Sequence, residues 1–341
     1  MDNTFVQEDV LRFSSSFSLA EELKNCHVLI TGATGLLGSI ATYCLLSLNE
    51  TKNLGMKISV LIRNKDKAEC LFADKVSYYI ADLNVAQELP KITDSIDYIL
   101  HFASPTASLT FVQHPVYTIQ TILNGTNLLL EFARNHSIKS MVFVSSLEVY
   151  GTIHDDKIVV SEAEQGYLDP MSVRTSYPMA KRLCECLCAS YASEYGVPVR
   201  VGRLTQTFGC GIAPDDNRVF AQFARSVVQG KDIVLHTKGD LSRPYLYTTD
   251  AVSAVLYILL RGQDGEAYNV ANEESYISIR DMAEFLCAEF NPNINVCMEF
   301  GDYGYLPPTK LRLSSEKIMK LGWTPSYSLK QMFERLINSL K

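Results

Sequence analysis

The sequence is short of positive charge: 341 residues carry 31 Lys and Arg against 38 Asp and Glu, a formal net charge of −7. That balance argues against nucleic acid as the main partner, because neutralising phosphates requires basic surface. An anionic small molecule is still admitted wherever positive charge is local. No apolar stretch reaches the roughly 18 residues of a membrane span, and no basic segment followed by an apolar one stands at the N-terminus. These absences predict a cytoplasmic protein without a membrane span. Internal repeats and low-complexity tracts are also missing. The nine cysteines are odd in number and set mostly in apolar surroundings, which argues against a disulfide framework and for a reducing compartment. Their one cluster, Cys184-Glu-Cys186-Leu-Cys188, spaces its thiols about 200° apart around a helix, so they do not converge on a metal. No metal site is expected.

Apolar residues make up 47% of the chain and charged ones 20%, enough to fill a large core. Short β-rich runs alternate with helical segments. Strands are predicted at 26–31, 57–62, 76–80, 96–102, 140–144 and 199–203, with helices at 35–48, 118–135 and 177–195. Near-continuous apolar strands of this kind belong to a parallel sheet buried on both faces. The predicted fold is α/β, a Rossmann-type doubly wound parallel sheet with a smaller C-terminal α+β lobe. Residues 1–25 read as a polar lead-in with a short amphipathic helix around 18–24. The dinucleotide-binding domain spans 26–209, and 210–341 form mainly the substrate lobe, with helices at 219–229, 249–260, 278–289 and 329–340 and some exchange of chain between lobes. Ligands of open α/β sheets sit at the carboxyl ends of the strands, so the active site is placed between the lobes.

Two motifs carry chemistry. Gly32-Ala-Thr-Gly35-Leu-Leu-Gly38 follows a strand and opens a helix, where glycines permit a tight turn and let backbone N–H groups approach a pyrophosphate. Tyr177-Pro-Met-Ala-Lys181 puts a phenol and an ammonium on one helix face. The ammonium, with a nicotinamide's positive charge, would lower the phenol's pKa and fit it for acid–base work.

With Asp82-Leu83, His101-Phe102-Ala103-Ser104, Ser146 and the closing Leu321-Gly-Trp-Thr-Pro325, these motifs make the chain resemble the extended short-chain dehydrogenases, specifically the NAD-dependent nucleotide-sugar epimerase/dehydratase family. Ala103-Ser-Pro-Thr-Ala107, Glu148-Val-Tyr-Gly151, Asp169-Pro-Met-Ser-Val-Arg174 and Asn217-Arg218-Val219 are most similar to its UDP-glucuronate decarboxylase branch. The resemblance implies that Tyr177 takes a sugar hydroxyl proton, Ser146 hydrogen-bonds the same oxygen, and Lys181 holds the ribose. Glu148 would act as a base or orient the sugar. Gly32, Thr34, Gly35, Leu36, Leu37, Gly38, Asp82, Leu83, Phe102, Ala103 and Ser104 would line the cofactor, with Tyr177 and Lys181. Ser104, Glu148, Arg174, Gln206, Arg218 and Arg243 would face the substrate, a nucleotide-diphosphate sugar, with guanidinium suited to phosphate or carboxylate. The helices 118–135 and 177–195 match those through which relatives pair, which implies a homodimer.

The departures bear on the reaction. Leu147 stands where family dehydratases carry an acid, and leucine supplies no proton. Decarboxylase relatives usually have serine there. Gln206 and Ile122 replace asparagines usual in the family. A 4-epimerase needs only Tyr177, Ser146 and a held cofactor, and leads, although Leu147 is expected to crowd rotation of a keto sugar. The alternatives are a decarboxylase, an NADPH-dependent reductase of a nucleotide-linked sugar or polyol, and a non-catalytic dinucleotide sensor. The second strand ends Leu61-Ile62-Arg63-Asn64 without the acid that selects NAD. Arg63 either pairs with a 2′-phosphate, favouring NADP(H), or stacks on adenine with either cofactor; the family resemblance favours NAD(H).

Overall fold

The computed structural model describes residues 3–85, 89–92, 94–154, 159–300 and 309–341. The chain opens on a helix, α1 (Thr4–Ser16), followed by β1 (His27–Thr31), α2 (Leu36–Lys52), β2 (Lys57–Ile62), α3 (Lys65–Phe72), β3 (Ser77–Ile80) and β4 (Tyr98–His101). Next come α4 (Ser108–Gln113), α5 (Pro115–Asn135), β5 (Ser140–Ser146), β6 (Val159–Val160), α6 (Ser176–Tyr195), β7 (Val199–Leu204), β8 (Gln206–Phe208) and α7 (Val219–Gln229). The remainder comprises β9 (Ile233–Leu235), β10 (Ser242–Tyr247), α8 (Thr248–Arg261), β11 (Ala267–Val270), β12 (Asn272–Ser278), α9 (Ile279–Phe290), β13 (Val296–Met298), β14 (Arg312–Leu313), α10 (Glu316–Met319) and α11 (Leu329–Leu340).

Seven parallel strands form the main sheet in the order β11-β7-β5-β4-β1-β2-β3. All five residues of β1 and all four of β4 are buried, as expected of strands covered on both faces. The order reverses direction between β1 and β4, and in sheets of this kind the crevice that takes a ligand lies at the carboxyl ends of those strands. The α/β class with its doubly wound parallel sheet is therefore present. β11 comes late in the chain yet pairs with β7, and α8 packs against β5 and β7, so the C-terminal part contributes an edge strand and a helix to the main layer. The rest of that part, with β6 and β8 from earlier in the chain, forms a three-stranded sheet, β12-β10-β8, two strand pairs, β9/β13 and β6/β14, and helices α7 and α9–α11.

The first 25 residues depart from the polar lead-in. Residues 20–23 form only a short 3-10 turn, whereas α1 lies ahead of it, N-capped by Asn3, whose side chain accepts from Phe5 and Val6 N–H. Val6, Val10, Phe13 and Phe17 are each at most 6% exposed, and α1 packs on α2, α8 and α11. Burying each such side chain contributes about 1.5–3 kcal/mol, so the segment is part of the core. Asp9, also buried, accepts from Tyr247 Oη at 2.5 Å and Tyr327 Oη at 3.1 Å. All nine cysteines are free thiols; five are buried, Cys287 and Cys297 are half-buried, and Cys70 and Cys186 are exposed.

Candidate active site

The turn between β1 and α2 is built for close approach. Gly32 has φ +69°, and a Cβ there would lie 2.7 Å from the Ala103 nitrogen; one on Gly38 would lie 2.2 Å from the Gly32 carbonyl oxygen. Gly35 N-caps α2 without any side-chain hydrogen bond to the first-turn N–H groups. The first turn of this 17-residue helix thus has no side-chain cap, an arrangement that suits the pyrophosphate of a dinucleotide. Thr34, Leu36 and Leu37 are half-buried around the turn. Across the crevice the backbone N–H of Phe102 donates to the Thr31 carbonyl at 3.3 Å and that of Ala103 to Thr31 Oγ1 at 3.2 Å. Ser104, half-buried, donates to the carbonyl of Pro105 at 3.1 Å. Leu83 is buried against Gly125 of α5, where a Cβ would touch it at 3.2 Å.

Just past the end of β2, Arg63 donates to Tyr117 Oη at 2.7 Å and lies 4.0 Å from the Asp82 carboxylate. The exposed guanidinium is therefore already engaged by two residues of the chain. Tyr117 carried no signal in the sequence, being 54 positions away.

Ser146 ends β5; its hydroxyl accepts the Glu148 N–H at 3.2 Å, and it stands near enough to the Tyr177 phenol to favour its ionised form. Tyr177 is buried, its ring stacked on Phe111 at 4.3 Å and 8°. Burial and, after it, the Glu148 carboxylate push its pKa well above the ordinary tyrosine value, while Ser146 and Arg174 oppose the shift. Lys181 is 2% exposed and donates from Nζ to the Val144 carbonyl at 2.7 Å, above the Phe143 ring. Burial lowers its pKa to about 8, against the pull of Cys184, Glu185 and Cys188. Lys181 Nζ also lies 5.7 Å from the centre of the Tyr177 ring.

His101, at the end of β4, is bonded through Nδ1 to Thr31 Oγ1 at 2.7 Å and through Nε2 to Thr126 Oγ1 at 3.2 Å. Burial, and then Lys181, depress its pKa to about 3. It is neutral and ties β1, β4 and α5 together beside the crevice.

The substrate-side residues fall into two groups. Arg174 donates to Glu148 Oε2 at 3.1 Å, so this pair stands together next to Tyr177. Arg218 is chelated by Asp216, with Nε at 3.0 and 3.1 Å and Nη2 at 2.5 Å from its oxygens, and donates to the Thr207 carbonyl at 3.3 Å. Asp216, unmarked in the sequence, has its pKa lowered: Arg218 outweighs the upward effect of burial. Arg243 on β10 keeps a buried Nε without a hydrogen-bond partner among the described residues. Gln206 opens β8 opposite Tyr245 of β10. Leu147 does not line open space: it is 3% exposed and packs in an apolar cluster with Val149, Tyr150, Val160, Leu311 and Leu313.

The crevice, the glycine turn and the Ser146–Tyr177–Lys181 set coincide with a family profile, "NAD dependent epimerase/dehydratase family", that matches residues 28–271. The chain belongs to that family. It is 26% identical over 309 residues to UDP-glucuronic acid decarboxylase 5 of Arabidopsis thaliana, covering 90% of this chain and 87% of the relative. Identity to the dTDP-D-glucose 4,6-dehydratase of Homo sapiens is 27% over 325 residues, covering 91% and 88%. Among solved structures, UDP-glucose 4-epimerase of Thermotoga maritima superposes with TM-score 0.76 at 20% identity, over 92% of this chain and 98% of the other. That last likeness is one of fold. Family membership makes the protein an NAD(P)-dependent enzyme of the nucleotide-sugar epimerase/dehydratase family.

Proposed function

We propose that the protein is a redox-neutral epimerase acting at a ring hydroxyl of a nucleotide-diphosphate sugar. The observation that carries this reading is the gathering of Ser146, Tyr177 and Lys181, with Ser146 favouring the ionised phenol and Lys181 Nζ 5.7 Å from the centre of its ring, and with buried Leu147 in place of an acid. Epimerases, dehydratases and decarboxylases of the family share the opening oxidation and differ in the fate of the keto sugar. Dehydration needs a proton for the departing hydroxyl, and Leu147 has none to give. Its side chain is packed into the apolar cluster, which also relieves the concern that it crowds a turning keto sugar.

The glycine turn and the open N-terminus of α2 fit a dinucleotide. When bound, its nicotinamide supplies the acceptor and donor of a hydride. Tyr177 takes the sugar hydroxyl proton and returns it, while Ser146 holds the same oxygen through a hydrogen bond. Since the chain's own groups keep Tyr177 protonated, ionisation of the phenol depends on positive charge brought by the ligands. Lys181 is poised to exchange its Val144 contact for ribose hydroxyls. Arg243, with an unpartnered Nε, is assigned to the substrate's anionic groups, and Arg218, oriented by Asp216, to the diphosphate.

NAD is the proposed cofactor. Tyr117 occupies one Arg63 nitrogen and Asp82 sets a negative charge 4.0 Å from it, which disfavours a 2′-phosphate beside it. A homodimer through α5 and α6 is supported by exposed Val116 and Ile119, three residues apart on one face of α5, and by exposed Leu183 of α6. Denaturing the purified protein and identifying the released small molecules by mass spectrometry tests the closed cycle. Near-stoichiometric NAD supports it; an empty protein that prefers NADPH points to a net reductase.

A further inference from the structure

Ser146 ends β5, Glu148 sits in the turn Leu147–Tyr150, and Tyr177 and Lys181 stand on α6. One buried ion pair touches all three segments. Glu185 lies one helical turn beyond Lys181, and its carboxylate accepts from Ser145 Oγ at 2.5 Å. Ser145 directly precedes Ser146. The same carboxylate accepts from Arg203 of β7, through Nε at 3.1 and 3.0 Å and through Nη2 at 2.7 Å. Arg203 Nη1 then donates to Tyr150 Oη at 2.9 Å and to the Glu162 carbonyl at 3.0 Å. Tyr150 closes the turn that carries Glu148, and its hydroxyl donates to Asn269 Oδ1 on β11 at 2.6 Å. Both charged side chains are 9% exposed.

Removing two charges from water is costly, and apolar residues of similar volume often hold a core at least as well. A bidentate guanidinium–carboxylate fork, by contrast, fixes distance and plane together. A fully satisfied buried network adds rigidity. We propose that the Glu185–Arg203 pair positions the reacting groups, holding Ser146 and Glu148 in register with Tyr177 and Lys181. Neither residue touches substrate; each acts through Ser145, Tyr150 and the helix. The inference rests on the reading that Tyr177 moves the proton.

Glu185 also acts on Lys181 by charge. Lys181 is surrounded by Glu185, Cys184, Cys188 and Tyr177 on its own helix, by the Phe143 ring and Val144 carbonyl of β5, and by neutral His101 of β4. Of these, Glu185 is the carboxylate, and it favours the ammonium.

The test uses the full chain with Ser145→Ala, Tyr150→Phe and Glu185→Gln. A Glu185→Gln/Arg203→Met double variant, which leaves no uncompensated charge, serves where Glu185→Gln alone fails to fold. NADH binding is monitored by fluorescence across pH, and turnover is measured with UDP-glucose. Positioning predicts that Ser145→Ala and Tyr150→Phe lower kcat about tenfold to a hundredfold while KM and NADH affinity stay within about twofold. It predicts that loss of the Glu185 charge moves the alkaline loss of NADH binding down by about half a pH unit or more. Variants that lower only thermal stability, with kcat intact, overturn the proposal. If the wild type leaves UDP-glucose unchanged, the functional reading for that sugar fails separately. The pH dependence of NADH binding then decides the network: a shift supports it and an unshifted profile overturns it.

Discussion

Arg174 Nη1 lies 3.1 Å from Oε2 of Glu148, and this ion pair flanks the buried phenol of Tyr177, which Glu148 makes harder to ionise and Arg174 easier. Replacing Glu148 by Gln removes the opposing charge and releases the guanidinium. The acid limb of the pH–rate profile is expected to move to lower pH, with at most about a tenfold loss of kcat at its plateau. A loss of about a hundredfold or more at every pH, the scale of a missing general acid or base, would show that Glu148 itself carries the proton.

Leu147 is buried among Val149, Tyr150, Val160, Leu311 and Leu313. Leu147→Asp is therefore expected to lower the melting temperature sharply, since it sets an unpaired carboxylate in an apolar cluster, and to confer no dehydratase activity. Formation of a 4-keto-6-deoxy sugar nucleotide by a stably folded variant would show that the side chain reaches the reacting sugar.

Gly38 admits no side chain, because a Cβ would meet the Gly32 carbonyl oxygen at 2.2 Å. Gly38→Ala has to push the turn and α2 apart. An overpacking cost of about 1–3 kcal/mol is expected, with NADH affinity falling about tenfold or more as the N–H groups move. Retained NADH affinity in a fluorescence titration would dissociate this turn from cofactor binding.

His101 predicts an acid sensitivity whose sign is set by its environment. Its pKa falls from 6.5 unfolded to about 3 folded, so below pH 6.5 the unfolded chain takes up a proton that the folded one refuses. Stability is lost as pH falls from 6.5 toward 3, about 2 kcal/mol by pH 5. Urea unfolding at pH 7 and pH 5 checks this, with His101→Asn expected to abolish that part of the loss. An equal loss in the variant would place the acid sensitivity elsewhere.

The parts of the site legible in the sequence are those written within a few residues: Gly32, Gly35 and Gly38 in one turn, and Tyr177 and Lys181 one helical turn apart. The alternation of apolar strands with helices likewise specified the parallel sheet, although it left unseen that β11 rejoins it. What was not legible depends on contacts far along the chain. Arg63 meets Tyr117, and Glu185 meets Ser145 and Arg203, across separations that no local pattern reports. Arg218 has its partner two residues away, but Asp216-Asn-Arg218 resembles ordinary loop sequence. α1 was missed because Ser14, Ser15 and Ser16 and the charged residues between Val6, Val10 and Phe13 disguise a helical stripe as polar lead-in.

The central claim is a closed redox cycle at a sugar hydroxyl. UDP-glucose carrying deuterium at C4, incubated with the protein and a catalytic amount of NAD, tests it most directly by NMR and mass spectrometry of the products. The account predicts UDP-galactose that keeps its deuterium at C4, with no net build-up of NADH. Deuterium moved to C6 of a 4-keto-6-deoxy product would mean dehydration, and stoichiometric accumulation of reduced cofactor would mean net oxidation; either would contradict it.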